Sequence, residues 1–234
     1  MKLTVILPVY NERPWIEMTV RKVLAQKIPG IDTTEIIVVD DHSRDGTKDV
    51  VENLAKEFPR SIIPLYHSQN FGKGAAVRTA IPKISGDICV IQDGDLEYDP
   101  ANYPLLLEPL INGVADCVYG SRFQGTQPKR VLLFWHYVGN RFLTILSNVC
   151  TNLNLTDMET GYKAFRSEIL QSVSIKSNRF DFEPEITAKV AKKGCRIFEV
   201  GISYYGRTYR EGKKITWIDG VKAVSSIIRF WWGD

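Results

Sequence analysis

The chain has 234 residues, 44% of them hydrophobic and 24% charged, and carries a net charge of +3. These proportions exclude disordered, collagen-like and low-complexity classes and suit an ordinary globular protein. A chain of this length buries on the order of 70% of its unfolded surface, enough for a full core without metal or disulfide staples.

The first half alternates between strand and helix signals. Leu3–Val9 is a short apolar run of strand length, and Trp15–Gln26 places Ile16, Val20, Val23 and Leu24 at helical spacing. Glu35–Asp40 reads as a buried strand, Thr47–Phe58 as a helix, Ser61–Tyr66 as a strand, Gly74–Ile84 as a helix and Asp87–Gln92 as a strand. A helix over Ala101–Ile111 and a strand over Asp116–Tyr119 follow. Strands separated by helices of this length predict an α/β fold with a mostly parallel central sheet and helices on both faces. The second half predicts a long amphipathic helix over Val131–Asn152, a helix over Phe182–Lys193, a strand over Ile197–Tyr205 and an amphipathic C-terminal helix over Ile215–Trp232. With no repeat, linker or composition break, one domain is expected: residues 1–205 as its main body, and 206–234 as a basic loop and C-terminal helix belonging to it.

Ligands of such sheets bind where strands end. Polar, charged or glycine residues stand there after every strand of the first half: Tyr10-Asn-Glu12, Asp40-Asp41, Asn70-Phe-Gly-Lys73, Asp93-Gly-Asp95 and Gly120-Ser-Arg122. Asp93 and Asp95, two residues apart after a buried strand, can converge on one hard cation such as Mg²⁺ or Mn²⁺, and Glu97 adds a third oxygen ligand. A lone DxD is usually a solvated acidic turn; the position at a strand's carboxyl end argues for the cation. Asp40 and Asp41 precede a Ser/Asp/Gly turn in which Asp45 or Ser43 suits helix capping. That leaves the pair to accept bonds from a base or a ribose. In Asn70–Gly74 the glycines permit close backbone approach to a ligand, and Lys73 can meet phosphate. The spacing of a Walker A loop is absent, as is a GxGxxG after the first strand. His42, His67 and His136 show no metal spacing.

Charge placement adds a further indication. From Ser203 to Asp234, Arg207, Arg210, Lys213, Lys214, Lys222 and Arg229 outnumber Glu211, Asp219 and Asp234, and the rest of the chain is balanced. These cations are interleaved with Tyr204, Tyr205, Tyr209, Trp217, Phe230, Trp231 and Trp232, which points to an anionic partner at this end. The C-terminal helix and Val131–Asn152 either pack as core or lie against a membrane surface with tryptophans at headgroup level. No run of 18 apolar residues is present and Met1-Lys2-Leu3 leads directly into a strand, so neither a membrane span nor a secretory leader is expected. Cys89, Cys117, Cys150 and Cys195 form no CxxC pair and read as core residues of a reduced, cytoplasmic protein.

Pro8-Val-Tyr-Asn-Glu12, Val-Val-Asp-Asp-His-Ser-Arg-Asp-Gly-Thr47, Asn-Phe-Gly-Lys-Gly74, Gln-Asp-Gly-Asp-Leu-Glu-Tyr-Asp-Pro100 and Gly-Ser-Arg122 occur in this order. So do Asp157-Met-Glu-Thr-Gly-Tyr-Lys163-Ala-Phe and Tyr-Tyr-Gly-Arg207-Thr-Tyr-Arg-Glu-Gly-Lys213-Lys214. Together they resemble glycosyltransferase family 2, in particular its polyprenyl-phosphate branch of dolichyl-phosphate mannose and glucose synthases. The resemblance runs over nearly the whole chain. It implies a GT-A fold and an inverting, metal-dependent transfer of a hexose from a nucleotide sugar, UDP-glucose or GDP-mannose, to a polyprenyl phosphate. By motif position, Pro8, Tyr10, Glu12 and Asp40 would hold base and ribose, Asp93, Asp95 and Glu97 the Mg²⁺ or Mn²⁺ ion, and Arg122, Lys163 and Arg207 the acceptor phosphate. Glu97 stands where the branch often has Gln, and the paired transmembrane helices of some relatives are absent.

A lipid monophosphate is already an anionic nucleophile, so it needs cations rather than a general base. Arg122, Arg207, Lys163, Lys213 and Lys214 are available, with Asp157 as a candidate for positioning or proton transfer. Peripheral contact with the cytoplasmic membrane face is expected, and no nucleic-acid partner. The rival readings are a family 2 enzyme that uses a sugar or protein hydroxyl as acceptor, and a non-catalytic nucleotide-sugar or membrane-binding module.

Overall fold

The computed structural model describes residues 1–131, 133–208, 211 and 217–233, the last stretch without the side chains of residues 217–219. Its strands are β1 (Lys2–Val9), β2 (Thr33–Asp40), β3 (Ile62–Tyr66), β4 (Ile88–Ile91), β5 (Cys117–Ser121), β6 (Lys163–Arg166) and β7 (Ile197–Gly201). Its helices are α1 (Ile16–Leu24), α2 (Thr47–Glu57), α3 (Lys73–Ala80), α4 (Tyr103–Ile111), α5 (Phe134–Thr151), α6 (Ser167–Gln171), α7 (Phe182–Lys192) and α8 (Trp217–Trp232).

The strands form one seven-stranded sheet in the order β3-β2-β1-β4-β6-β5-β7. β1 pairs in parallel with both β2 and β4, and β7 runs parallel to β5. Only β6 runs the other way, antiparallel to β4 and β5. The expected α/β architecture is therefore observed, with one reversed strand inserted.

The alternation of side chains along a strand explains the two cores. On one face Leu3, Val5 and Leu7 of β1 pack with Ile16, Val20 and Val23 of α1 and Leu106, Leu107 and Leu110 of α4. On the other, Ile6 of β1, with Ile37 and Val39 of β2, meets Ala76, Val77 and Ala80 of α3 and Phe182, Ile186 and Val190 of α7. Both faces of β1 are covered, which is why it reads as a continuous apolar run rather than an alternating one. α8 adds Ala223 and Ile227 to the second core and packs on α5 and α7.

β6 has a consequence for function. Because it is antiparallel, the segment that precedes it, residues 157–162, lies at the same sheet edge as the loops that follow the parallel strands. Four residues with a buried lysine at their start carry no strand signature, so Lys163–Arg166 was legible only as part of a motif.

The glycines of residues 70–74 have a packing role, and Gly72 also lines the cleft. Gly72 has φ +104°, and a Cβ there would fall 2.4 Å from the carbonyl oxygen of Asn178. A Cβ on Gly74 would fall 2.6 Å from that of Ser177. They let the loop before α7 sit on the amino end of α3, where Ala75 N donates to Asn178 O at 3.0 Å. Gly72→Ala is expected to cost about 2–3 kcal/mol, since the backbone region is restricted and the contact is to rigid main chain. Gly139→Ala, in α5 with nothing within 4 Å of the added Cβ, is expected to be neutral or stabilising by about 0.5–1 kcal/mol. Chemical denaturation of the two variants checks the contrast.

Candidate active site

A cleft of about 690 Å³ opens at the carboxyl edge of the sheet. Its wall takes Pro8, Tyr10 and Glu12 from the loop after β1, Asp93, Asp95 and Glu97 from the loop after β4, and Arg122 from the end of β5. Lys73, Glu159, Glu183, Tyr204 and Arg207 complete the polar lining, and Trp135, Leu143 and Ala223 of α5 and α8 close one side. Residues distant in sequence thus meet because strand ends share one edge.

Carboxylates dominate the inner end, and most of them share a small number of cations. Arg207 is the centre of the larger group. Its backbone N–H and Nε donate to Glu97 Oε1 at 2.9 and 3.1 Å, and Nη1 and Nη2 donate to Glu12 at 3.2 and 3.3 Å. Nη2 also bonds Asp95 Oδ2. Tyr204 Oη donates to the second oxygen of Glu97 at 2.5 Å. Asp93 instead pairs with Lys73 Nζ at 2.8 Å, and that ammonium also meets Glu183 Oε1 at 3.0 Å. Burial alone would lower the Lys73 pKa; Asp93 and Glu183 reverse this and raise it.

The negative charge exceeds what Arg207 cancels at Asp95. Burial, then Glu97 and Asp93, push the Asp95 carboxyl up to about 7 in spite of the guanidinium. Among the described residues no three acidic, histidine or cysteine side chains are gathered around a common metal position. The expected trio of Asp93, Asp95 and Glu97 is divided: Asp93 is turned to Lys73, the other two to Arg207. The physical reason is that buried carboxylates take the nearest cations. The donor set nevertheless fits a hard divalent ion, being all carboxylate oxygen with an excess of negative charge.

Arg122 is held independently. Its backbone N–H donates to Asp157 Oδ2 at 2.9 Å, Nε to the same oxygen at 2.7 Å and Nη2 to Oδ1 at 2.7 Å. Asp157 is fully buried and its own N–H donates to Glu199 Oε1 at 3.0 Å. Nη2 reaches Asn140 of α5 at 3.2 Å, and the guanidinium lies 5.3 Å from the Tyr204 ring. This two-pronged geometry fixes one face of Arg122 and leaves the cavity side for a ligand. The carboxylate of Asp157 is committed to that clamp.

Several predicted residues lie elsewhere. Asp40 is buried, is not part of the cavity wall, and accepts from Ser43 N at 3.3 Å and from Ser43 Oγ. Asp41 does reach the wall, but its oxygens are bound by Phe71 N at 2.9 Å, Gly72 N at 2.7 Å and His67 Nδ1 at 2.6 Å. Both acids thus order loops rather than stand free, because the turns after β2 and β3 have backbone donors to satisfy. Lys163 is fully buried beneath the site, donating to Met158 O at 2.8 Å and to Thr160 O, and is not in the cavity wall. Burial lowers its pKa to about 8 even against Glu183 and Glu159. Lys213 and Lys214 fall outside the described residues.

The sequence pattern of Glycosyl transferase family 2 matches residues 4–174. The chain belongs to that family. It is 32% identical to undecaprenyl-phosphate mannosyltransferase of Micrococcus luteus over all of its own length and 94% of that protein's. It is 28% identical to dolichol-phosphate mannosyltransferase of Pyrococcus furiosus, over 92% of this chain but only 61% of the relative. Among solved structures, glucosyl-3-phosphoglycerate synthase of Mycobacterium tuberculosis, in complex with Mn²⁺, UDP and glucosyl-3-phosphoglycerate, superposes with a TM-score of 0.72 at 20% identity. That alignment covers 100% of this chain and 81% of that one, and shows a shared GT-A-like fold.

The chain is thus a family 2 glycosyltransferase whose strand-end motifs, with few exceptions, line one cleft. Glu159, Glu183 and Tyr204 also line it, and sequence reading missed them as site residues. Glu183 lay within a predicted helix, where a glutamate beside Pro184 gives no signal other than its place in the first turn.

Two outcomes follow from the charge arrangement. Asp157→Asn leaves the buried Arg122 guanidinium with a neutral partner and is expected to destabilise by about 3–5 kcal/mol in urea unfolding. Asp95 has the opposite sign. Its pKa is raised in the folded state, so between about pH 4 and 7 the unfolded chain gives up this proton first and stability falls as pH rises. Asp95→Asn is therefore expected to melt higher than the parent at pH 8, with the gain shrinking towards pH 5 in thermal unfolding followed by circular dichroism.

Proposed function

We propose that the protein transfers a hexose from a nucleotide sugar to a polyprenyl phosphate at a membrane surface, with a divalent ion bound at the acidic end of the cleft. The observation that carries the reading is the polarity of the cleft. It runs from carboxylates suited to a cation on a diphosphate, past the clamped Arg122, to α5 and α8. On α5, Trp135 is 77% exposed, Phe142 58% and Val149 76%, and on α8 Trp232 is 83% exposed. Among the described residues, no helix is long and apolar enough to cross a membrane. An acceptor with an anionic head and an apolar tail fits this sequence of surfaces, and exposed tryptophans on an amphipathic helix suit the headgroup layer. The names of the Micrococcus and Pyrococcus relatives agree with such an acceptor.

Asp95, Glu97 and Asp93 would hold Mg²⁺ or Mn²⁺, which when bound supplies Lewis-acid stabilisation of the leaving nucleoside diphosphate. Pro8 and Tyr10 at the end of β1 form the wall for the base and ribose. Lys73, next to Asp93, supplies a fixed positive charge towards the diphosphate. Arg122, oriented by Asp157, meets the acceptor phosphate and offsets its repulsion from the donor. A phosphate nucleophile brings its own charge, so the commitment of Asp157 to Arg122 costs the reaction nothing. Arg207 cannot be gripped by Asp95 and Glu97 while those oxygens hold another cation, so it is an exchangeable partner.

Radiolabelled GDP-mannose or UDP-glucose incubated with a short polyprenyl phosphate is expected to yield lipid-extractable label in Mn²⁺ and none in EDTA. Label appearing only on free sugars or protein would favour the hydroxyl-acceptor reading. Arg122→Lys keeps the charge but loses the paired geometry. It is expected to raise the acceptor KM at least tenfold with donor KM within twofold, measured by steady-state kinetics.

A further inference from the structure

From Leu155 to Met158, between α5 and β6, the chain has neither helix nor strand. Its backbone N–H groups are nevertheless all taken, and by side chains. Leu155 N donates to Asn148 Oδ1 at 3.1 Å, and Asn148 Nδ2 returns a bond to Leu155 O at 2.8 Å. Thr156 N and Asp157 N donate to Glu199 Oε1 at 2.9 and 3.0 Å. Met158 N donates to Thr144 Oγ1 at 3.2 Å. Four consecutive amides thus depend on three side chains, where a helix or a sheet would offer carbonyls.

Two elements supply this cradle. Asn140, Thr144 and Asn148 recur every four residues, so they form a polar row along one face of α5. The row begins at Asn140, whose Oδ1 accepts from Arg122 Nη2 at 3.2 Å. Thr144 is fully buried, as are Asp157 and Met158. Glu199 stands on β7, where Gln124 Nε2 and Thr156 Oγ1 also donate to its Oε2 at 2.8 and 3.0 Å. Among the described residues the donors that reach Glu199 are neutral, so it serves as a hydrogen-bond acceptor and not as half of an ion pair.

The cradle delivers one group, the carboxylate of Asp157. Both of its oxygens go to Arg122, through the backbone N–H, Nε and Nη2. Such a fork tolerates little displacement, because paired N–H···O bonds fix direction as well as distance. A shift of the 155–158 backbone therefore turns the guanidinium. Neither Glu199 nor Thr144 is part of the cleft wall, so any effect on a ligand must pass through the residues they hold.

We propose that Glu199 and Thr144 are positioning residues for the acceptor phosphate, acting through Asp157 on the aim of Arg122 without touching substrate. The assignment rests on the reading of Arg122 as the acceptor-phosphate ligand and names what sets its direction.

The test is steady-state transfer to a short polyprenyl phosphate in Mn²⁺, from whichever of GDP-mannose and UDP-glucose the wild type uses. Glu199→Gln is nearly isosteric but trades an acceptor oxygen for an NH₂ group; Thr144→Val keeps the shape and loses the acceptor. Each is expected to raise the acceptor KM about tenfold, as for a misaimed binding group, with donor KM within twofold. Thr144→Ser, which keeps the hydroxyl, is expected to bring the acceptor KM back to within twofold of wild type. In an Arg122→Lys background the fork is already lost, so either substitution should change the acceptor KM by less than twofold, which a merely structural role would not produce. Thr144→Val carries the test if Glu199→Gln fails to fold. An unchanged acceptor KM, an equal rise in donor and acceptor KM, or the same tenfold rise in the Arg122→Lys background overturns the positioning role and leaves the acceptor reading intact. A wild type that binds donor but gives no lipid-linked product, or an Arg122→Lys chain with unaltered acceptor KM, overturns the acceptor reading and the positioning role with it.

Discussion

Buried carboxylates need cations, and that requirement organises the cleft. Glu12, Asp95 and Glu97 converge on one guanidinium, Asp93 and Glu183 on one ammonium, and Asp157 on Arg122. Each pair joins segments far apart in the chain, so the loops after β1, β4 and β5, the segment before β6 and the amino end of α7 are tied by charge as well as by backbone. Removing one member leaves the other buried and uncompensated, and that asymmetry is what makes such pairs specify geometry even where they add little net stability. At Asp95 the balance is incomplete, so this end of the cleft stays receptive to further positive charge.

Topology decides which residues enter the site. A purely parallel arrangement would bring only strand-end loops to this edge. The reversed β6 brings Asp157 and Glu159 there from the other direction, and Glu199 of β7 fixes that segment by accepting from Thr156 N at 2.9 Å and Asp157 N at 3.0 Å. The chain of contacts from Glu199 through Asp157 to Arg122 places a buried cation in the cleft wall, bonded to Asn140 of α5. The same helix that contributes Leu143 to the core and Asn140 to Arg122 presents Trp135 and Phe142 outward. Arg122 and the exposed apolar side chains of α5 are thereby parts of one element's surroundings.

The parallel strands and the strand-end motifs were legible in the sequence because they are local signals. An apolar run such as Ile36–Val39 and a turn such as Asp93-Gly-Asp95 declare themselves within a few residues. What was not legible depends on long-range pairing. Asp40 and Asp41 read as free acids, yet Ser43, His67, Phe71 and Gly72 consume them. Lys163 read as a phosphate ligand, yet strand pairing carries it under the site, where the carbonyls of Met158 and Thr160 receive its ammonium. Gly72 and Gly74 read as ligand-facing; Gly72 does line the cleft, but both also admit the 177–178 backbone, which the sequence did not show. A residue type announces what a side chain can do; which partner reaches it first is set by the fold.

The proposed divalent-ion site at Asp93, Asp95 and Glu97 requires that Arg207 give up Asp95 and Glu97 when the ion binds. The most direct measurement is Mn²⁺ binding without nucleotide, followed by electron paramagnetic resonance, for the wild-type chain and Arg207→Ala. Mn²⁺ is expected to bind the variant about tenfold more tightly, since the carboxylates no longer have a competing guanidinium. Unchanged or weaker binding would contradict it.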